Sequence, residues 1–314
     1  MLIIGGTGNI GKAIVQDVID AGFEVIVTGL EINSSFPSSV HFSHASTLST
    51  LAQQKWDVIF DVYTFDSNHA QEVYTLFQKN CGHFFIVSTT LVYDRTGYTT
   101  ERIKTDFPLA KIGTQGGYVD HKLQVEDFWK ERKDVPWTIL RPYHILGKGY
   151  DLGCLAPHNR DSTLIEKIKE GSISLCEGGR IALNVVHPED LGRIVILAAG
   201  RGSTFGKSYN TVNPKEIIAR DYYLMIASQL GVTLEIKSVS GEEMWARKEW
   251  VLTTLPHLYD ISDLERDIGY VPDTPLEQCI SDALAFLPPK MVEKTPIYQR
   301  MHLLPEPLLH KYFS

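Results

Sequence analysis

Tyr118 and Lys122 lie four residues apart in a stretch whose apolar positions Val119, Leu123, Val125 and Phe128 read as a helix, so phenol and ammonium share one face. A free phenol, with a pKa of about 10, is a poor base at neutral pH. A nearby ammonium favours the phenolate and brings that value toward the working range, so the pair suits transfer of a hydroxyl proton. Upstream, the run Val87-Ser88-Thr89-Thr90 sets hydroxyls at the C-terminal end of a predicted strand, 83 to 88, where ligands of open α/β sheets sit. Thr89 is the first choice to hold a substrate oxygen beside the phenol, with Ser88 in reserve.

A third feature gives these residues a partner chemistry. Gly5-Gly6-Thr7-Gly8-Asn9-Ile10-Gly11 follows the apolar run Leu2-Ile3-Ile4 and opens a segment in which Ile10, Ile14 and Val18 repeat at helical spacing. Glycine permits positive φ and close backbone approach to a pyrophosphate, and the first N–H groups of the helix supply donors with a partial positive charge. Taken singly, the glycines are compatible with an ordinary βα turn, and a Tyr-x-x-x-Lys pair occurs by chance in many helices. Together with Thr89 they point to hydride transfer with a bound dinucleotide.

The elements that must position these residues follow from periodicity. Strand-like runs near 2 to 5, 24 to 28, 40 to 43, 56 to 62, 83 to 88 and 136 to 140 alternate with helical patterns, which predicts an α/β fold with a parallel doubly wound sheet. After Pro142 the pattern loosens through Gly147, Gly149, Gly153 and Pro157. A helix near 162 to 170 and a short strand from 173 to 176 follow. His187-Pro188-Glu189-Asp190 reads as a helix start, proline in the first turn and carboxylates at the positive helix end, which favours a structural role for Glu189 and Asp190 over a catalytic one. Helices near 219 to 230 and 275 to 286 complete the pattern before a proline-bearing tail. No internal repeat or low-complexity tract is visible.

These motifs, in their order and spacing, resemble the short-chain dehydrogenase/reductase superfamily in its extended form, the NAD-dependent epimerase/dehydratase family, from residue 2 to about 286. The resemblance is carried by GGTGNIG at 5 to 11, WDVIFD at 56 to 61, FIVSTTLVYD at 85 to 94, YVDHK at 118 to 122, LRPYHILGKG at 140 to 149, NVVHPEDLGR at 184 to 193 and SYNTVNP at 208 to 214. Within the family it is similar to the branch that includes the chloroplast stem-loop-binding proteins. The resemblance implies a Rossmann-type doubly wound sheet with a smaller C-terminal substrate lobe. It implies a cofactor domain over 1–145 with 180–212, a substrate lobe over 146–179 with 213–287, and a tail over 288–314. It further implies Tyr118 as acid/base, Lys122 lowering its pKa and binding the nicotinamide ribose, and Thr89 polarising a substrate carbonyl or alcohol. Gly5, Thr7, Gly8, Asn9, Ile10, Gly11, Asp61 and Pro142 join Tyr118 and Lys122 as cofactor-binding residues. His144, after Arg141-Pro142-Tyr143, and Arg180, in Gly178-Gly179-Arg180, become substrate-binding candidates. Arginine suits bidentate phosphate contact, although a solvated loop arginine is an equal reading of Arg180.

Departures from the family pattern bear on specificity. The second strand is followed by Gly29-Leu30, neither an acid for a ribose 2′-hydroxyl nor an arginine for a 2′-phosphate. Glu31, about 20 residues beyond Gly11, suits the first role or is a solvated loop carboxylate, and Lys12 is the nearest base for a phosphate. The choice between NAD and NADP stays open. No aspartate occupies 41 to 46, where relatives contact adenine. Thr90 and Leu91 stand where the 4,6-dehydratases carry acids, which argues against dehydration.

Composition narrows the function classes. The 314 residues, 43% hydrophobic, are enough for one large core or one core plus a smaller lobe. A net charge of −8 without clustered lysine or arginine argues against nucleic acid as a partner. The four cysteines, Cys81, Cys154, Cys176 and Cys279, are scattered as in a reduced intracellular protein. His144, His158 and His187 lack metal-ligand spacing, so no metal site is expected. Trp245, Trp250 and Tyr259 read as packing or an oligomer surface. No signal or long apolar span appears, so a cytoplasmic protein without membrane partners is expected. A homodimer through two helices is expected by analogy alone. The leading expectation is an NAD(P)-dependent oxidoreductase or epimerase acting at a secondary alcohol or ketone of a small polar metabolite, with a nucleotide-sugar as the first candidate. The rival is a non-catalytic dinucleotide sensor or RNA-associated protein on the same fold.

Overall fold

The computed structural model describes residues 1–31, 36–94, 101–114, 116–150, 152, 163–246 and 258–286, with side chains left out at 244–246. Gly153, Cys154, Pro157, His158, Trp250, the tail 288–314 and the side chain of Trp245 lie outside the described residues.

Short apolar runs build the centre. Strands β1 (Leu2–Ile4), β2 (Ile26–Gly29), β3 (His41–His44), β4 (Ile59–Asp61), β5 (Phe84–Val87) and β6 (Trp137–Arg141) join a later strand, β11 (Lys207–Asn210), in a seven-stranded sheet of order β11-β6-β5-β4-β1-β2-β3. Every pairing in it is parallel. The order reverses between β1 and β4. In such sheets the crevice at that reversal, beyond the C-terminal strand ends, is the ligand site. This is a Rossmann-type α/β fold.

The central strands β1, β4, β5 and β6 are buried at every position because both faces are covered. Leu2, Ile4, Ile59, Phe84, Ile86 and Ile139 pack with Val73 and Phe77 of α2 (Ser67–Phe77) and with Val125 and Trp129 of α3 (Gly117–Lys130), the helices bracketing β5. Ile3, Val27, Phe60, Phe85 and Leu140 join the opposite cluster, with Ile14 and Val18 of α1 (Asn9–Asp20) and Ile194 and Ala198 of α5 (Pro188–Ala198). α5 starts as its sequence implies: Pro188 is in the first turn, the His187 side chain accepts from the Glu189 amide at 3.4 Å, and Asp190 is buried, accepting from the Tyr270 hydroxyl at 2.6 Å.

Three two-stranded pieces lie outside the main sheet. β7 (His144–Ile145) pairs in parallel with β10 (Val185–Val186), β9 (Ala182–Leu183) pairs antiparallel with β12 (Ile217–Ile218), and β8 (Ser172–Cys176) pairs in parallel with β13 (Glu235–Val239). Helices α4 (Leu164–Lys169), α6 (Ala219–Gln229), α7 (Gly241–Ala246), α8 (Ser262–Ile268) and α9 (Leu276–Ala285) complete the described elements. Among the described residues no helix is long and apolar enough to cross a membrane.

Candidate active site

The glycine turn is shaped by close approach. Gly5 has φ +75°, and a Cβ there would lie 2.6 Å from the Cβ of Tyr63. A Cβ on Gly11 would lie 2.3 Å from the Cα and the carbonyl oxygen of Gly6, so only glycine lets α1 start this near β1. The Gly8 amide donates to the Gly5 carbonyl at 2.9 Å, and Gly8 caps α1 with extended backbone and no side-chain hydrogen bond. The first intrahelical bond runs from the Lys12 amide to the Gly8 carbonyl at 3.0 Å, so helix geometry directs the N–H groups of Asn9, Ile10 and Gly11 out of the N-terminus. With no acid in that first turn, the turn fits a pyrophosphate. Thr7 sits against Gly29, where any Cβ would meet its hydroxyl, and the Asn9 side-chain Nδ2 donates to the Gly149 carbonyl at 2.5 Å. Glu31 is exposed, two residues beyond β2.

At the neighbouring end of β4, Asp61 is 1% exposed, and its carboxylate faces its own turn. It accepts from the Tyr63 amide at 3.0 Å and from the Thr64 hydroxyl. His69 Nε2 lies 3.2 Å from it. Burial pulls His69 down, but the Asp61 contact outweighs this and leaves the imidazole above its ordinary pKa. The Tyr63 ring meets Phe65 and His69 edge-on, with centroids at 5.1 and 5.2 Å.

α3 brings the phenol and ammonium to the same end of the sheet. It begins at Gly117, after the N-cap Gly116, both at positive φ, and Asp120 accepts from the Gly116 amide at 3.0 Å, so Tyr118 stands in the first turn. Tyr118 is half-buried against the cluster of Val92, Ala110, Val119 and Leu123. Lys122, one turn on, is buried. Its ammonium donates to the carbonyls of Thr64 and of Val87, the latter at 2.7 Å, and lies 5.7 Å from the centre of the Tyr118 ring. Burial draws its pKa down to about 8, while the charges of Asp61 and Glu126 oppose the fall. An ammonium that titrates near neutrality beside a phenol can tune proton transfer.

Thr89 and Ser88 follow β5 but differ in use. Thr89 Oγ1 caps the single helical turn Thr90–Val92, accepting from the Leu91 amide at 3.2 Å, which leaves its O–H free in direction to donate. Ser88 is 2% exposed and donates to Glu126 Oε1 at 2.7 Å. Glu126 also binds Arg141 through both carboxylate oxygens, at 2.9 and 2.6 Å, and Lys130 at 2.8 Å. Arg141 continues to the Tyr93 hydroxyl at 2.9 Å, which donates to Asn210 at 2.5 Å. Ser88 thus belongs to a buried structural network behind the site.

The remaining candidates separate. Pro142 follows β6, its carbonyl accepting from the Thr90 amide at 3.0 Å, so it is joined to the Thr89 turn. His144, on β7, is half-buried with its ring 4.1 Å from that of Tyr143. Arg180 is 78% exposed and held by its own turn, to the Glu177 carbonyl at 3.1 Å and carboxylate at 3.5 Å. It follows β8, outside the main sheet. The sequence reading missed Thr64, the carbonyl partner of Lys122, and Glu126, one turn beyond Lys122 on the same helix face; the second was visible as a 118/122/126 spacing.

The model of the NAD dependent epimerase/dehydratase family matches residues 1–211. The chain belongs to that family. Membership makes it an NAD(P)-dependent enzyme of the epimerase/dehydratase type, and the glycine turn just described fits such a cofactor. Solved structures of similar fold include UDP-glucuronic acid 4-epimerase from Bacillus cereus in complex with NAD, 16% identical, with a TM-score of 0.71 over 91% of this chain and 95% of that one. Also similar are dTDP-glucose 4,6-dehydratase from Bacillus anthracis in complex with NAD (16%, 0.68, 91% and 95%) and RMD from Pseudomonas aeruginosa complexed with NADPH (14%, 0.63, 91% and 98%). No curated protein sequence matches the chain.

Proposed function

We propose that this epimerase/dehydratase-family enzyme transfers hydride at a secondary alcohol or ketone of a small polar metabolite, with a nucleotide-sugar as the leading substrate class. The observation that carries the reading is the Lys122 ammonium, held by the carbonyls of Thr64, beyond β4, and of Val87, at the end of β5, 5.7 Å from the Tyr118 ring centre. Bound NAD(P) supplies the hydride acceptor and donor. Tyr118 takes the hydroxyl proton as the alcohol is oxidised and returns it on reduction. Lys122 favours the phenolate electrostatically and binds the nicotinamide ribose. The Thr89 hydroxyl, already accepting from Leu91, donates to the substrate oxygen. His144 and Arg180 remain proposed substrate contacts, and Asn9, Ile10 and Gly11 would hold the pyrophosphate through backbone N–H groups. In this reading 1–145 with 180–212 carry the cofactor, and 146–179 with 213–287 carry the substrate.

Nucleotide-sugar chemistry is supported by the family and by neighbours named for UDP- and dTDP-sugars. Release of bound small molecules by denaturation, followed by mass spectrometry and turnover assays on UDP- and dTDP-sugars, tests it. Retained NAD(H) with interconversion of sugar epimers supports an epimerase and gives Glu31 the ribose. Retained NADP(H), or NADPH binding by an empty protein, supports a reductase. Failure to bind either dinucleotide overturns the reading in favour of a non-catalytic role.

A further inference from the structure

The turn after β4 does more than end a strand. Asp61 binds the Tyr63 amide, the Thr64 hydroxyl and the His69 imidazole, so one buried carboxylate fixes the backbone from 61 to 64. The Thr64 carbonyl is one of two that accept from the Lys122 ammonium; the other, of Val87, belongs to regular strand β5 and needs no such support. The closure is reinforced from α2, where Asp66 caps the helix by accepting from the His69 amide at 2.9 Å. The turn also presses on the glycine turn, since Tyr63 fills the space a Gly5 side chain would need.

We propose that Asp61 is a positioning residue: it holds the Thr64 carbonyl against Lys122 and sets a buried carboxylate behind that contact. The importance of the device for turnover rests on the proposed function, whereas its effect on Lys122 does not. The groups that face the ammonium are Asp61 at the end of β4, Phe65 beyond it with its ring centre at 5.4 Å, and Tyr118 and Glu126 on α3. Glu126 is committed to Arg141 and Lys130, both cations, whereas the cationic partner of Asp61 is the His69 imidazole at 3.2 Å, charged only when protonated. The direction agrees with the balance at Lys122, where burial lowers the pKa and Asp61 leads the opposing effects. The carboxylate therefore acts on the site through the Thr64 carbonyl and Lys122.

The test reads the lysine directly. In cofactor-free protein with ¹³C-labelled lysine, the Lys122 ¹³Cε shift, assigned by its loss in Lys122→Met, is followed against pH. Asp61→Asn preserves the shape and removes the charge; the Lys122 midpoint is expected to fall by about one unit or more. Thr64→Val keeps the carbonyl and the charge but breaks the link, so a smaller fall is expected, with dinucleotide affinity in titration weakened several-fold. If Asp61→Asn does not fold, Thr64→Val decides, an unchanged midpoint together with unchanged affinity overturning the proposal. An unmoved midpoint in folded Asp61→Asn also overturns it. Absence of dinucleotide binding by the wild-type protein would sink the proposed function yet leave the lysine titration to judge Asp61.

Discussion

Ser88 and Thr89 are adjacent, yet their hydroxyls have different partners, and the roles proposed for them differ accordingly. Ser88 donates into the Glu126–Arg141 pair, whereas Thr89 accepts from an amide and keeps a proton to give. Thr89→Val is expected to lower kcat/KM by about 10²-fold or more, as loss of one preorganised donor does. Ser88→Ala should leave turnover nearly unchanged while removing a bond to a buried carboxylate, lowering stability by about 1–3 kcal/mol. Steady-state kinetics with thermal unfolding separates them, and the reverse pattern would make Ser88 the substrate contact. Glu31 offers a second test at this scale. If it binds the ribose, Glu31→Ala should weaken NAD binding about tenfold and leave NADP binding little changed, read by titration with both dinucleotides.

At the scale of elements, α1 depends on its contact with the turn before it. A Cβ on Gly11 would fall 2.3 Å from Gly6, so Gly11→Ala must push the helix start away from β1. A stability loss of about 1–3 kcal/mol is expected, with dinucleotide binding weakened more than tenfold. Gly202→Ala, where a Cβ meets open space, should change neither by a measurable amount. Calorimetry and cofactor titration of the two variants make the comparison; equal behaviour would contradict the turn's role. The turn, strands β1 to β6 and α3 were legible because their signals are local: strand-like runs, glycine spacing and a four-residue repeat. β13 was not, since in Glu235–Val239 only Val239 is buried and no alternation shows. Nor were the two-residue strands β7, β9, β10 and β12, too short to carry a period. The candidate residues were legible by type but not by partner. Asp61, read as a cofactor contact, faces its own turn, and Ser88 meets Glu126 38 residues away, a pairing no local pattern encodes.

For the whole molecule, buried ionisable groups set the pH range of stability. Burial lowers His83 to about 4, because its ring is enclosed beside Phe85 and Phe205 and bonded to Thr138. The folded state thus resists its protonation, and stability falls as pH drops from the ordinary histidine value of 6.5 toward about 4. The full effect is on the order of 3 kcal/mol. Glu126 acts lower in the range: burial alone would raise it, but Arg141 and Lys130 hold it down to about 2, so its contribution is present above 4.5 and is lost as pH falls toward 2. Denaturant unfolding between pH 7 and 3 should show two successive losses, and His83→Gln should remove the first alone. A flat profile between pH 6.5 and 4 would contradict the His83 assignment.

The central claim is that Tyr118 moves the proton while hydride is transferred, and single-turnover absorbance of the bound nicotinamide tests it most directly. Wild-type protein and Tyr118→Phe, both loaded with cofactor, are mixed with a substrate identified by the turnover assays. Equal cofactor affinity with hydride transfer slowed by about 10²–10⁴-fold in Tyr118→Phe is the predicted result. Transfer at the wild-type rate in the phenylalanine variant would contradict it.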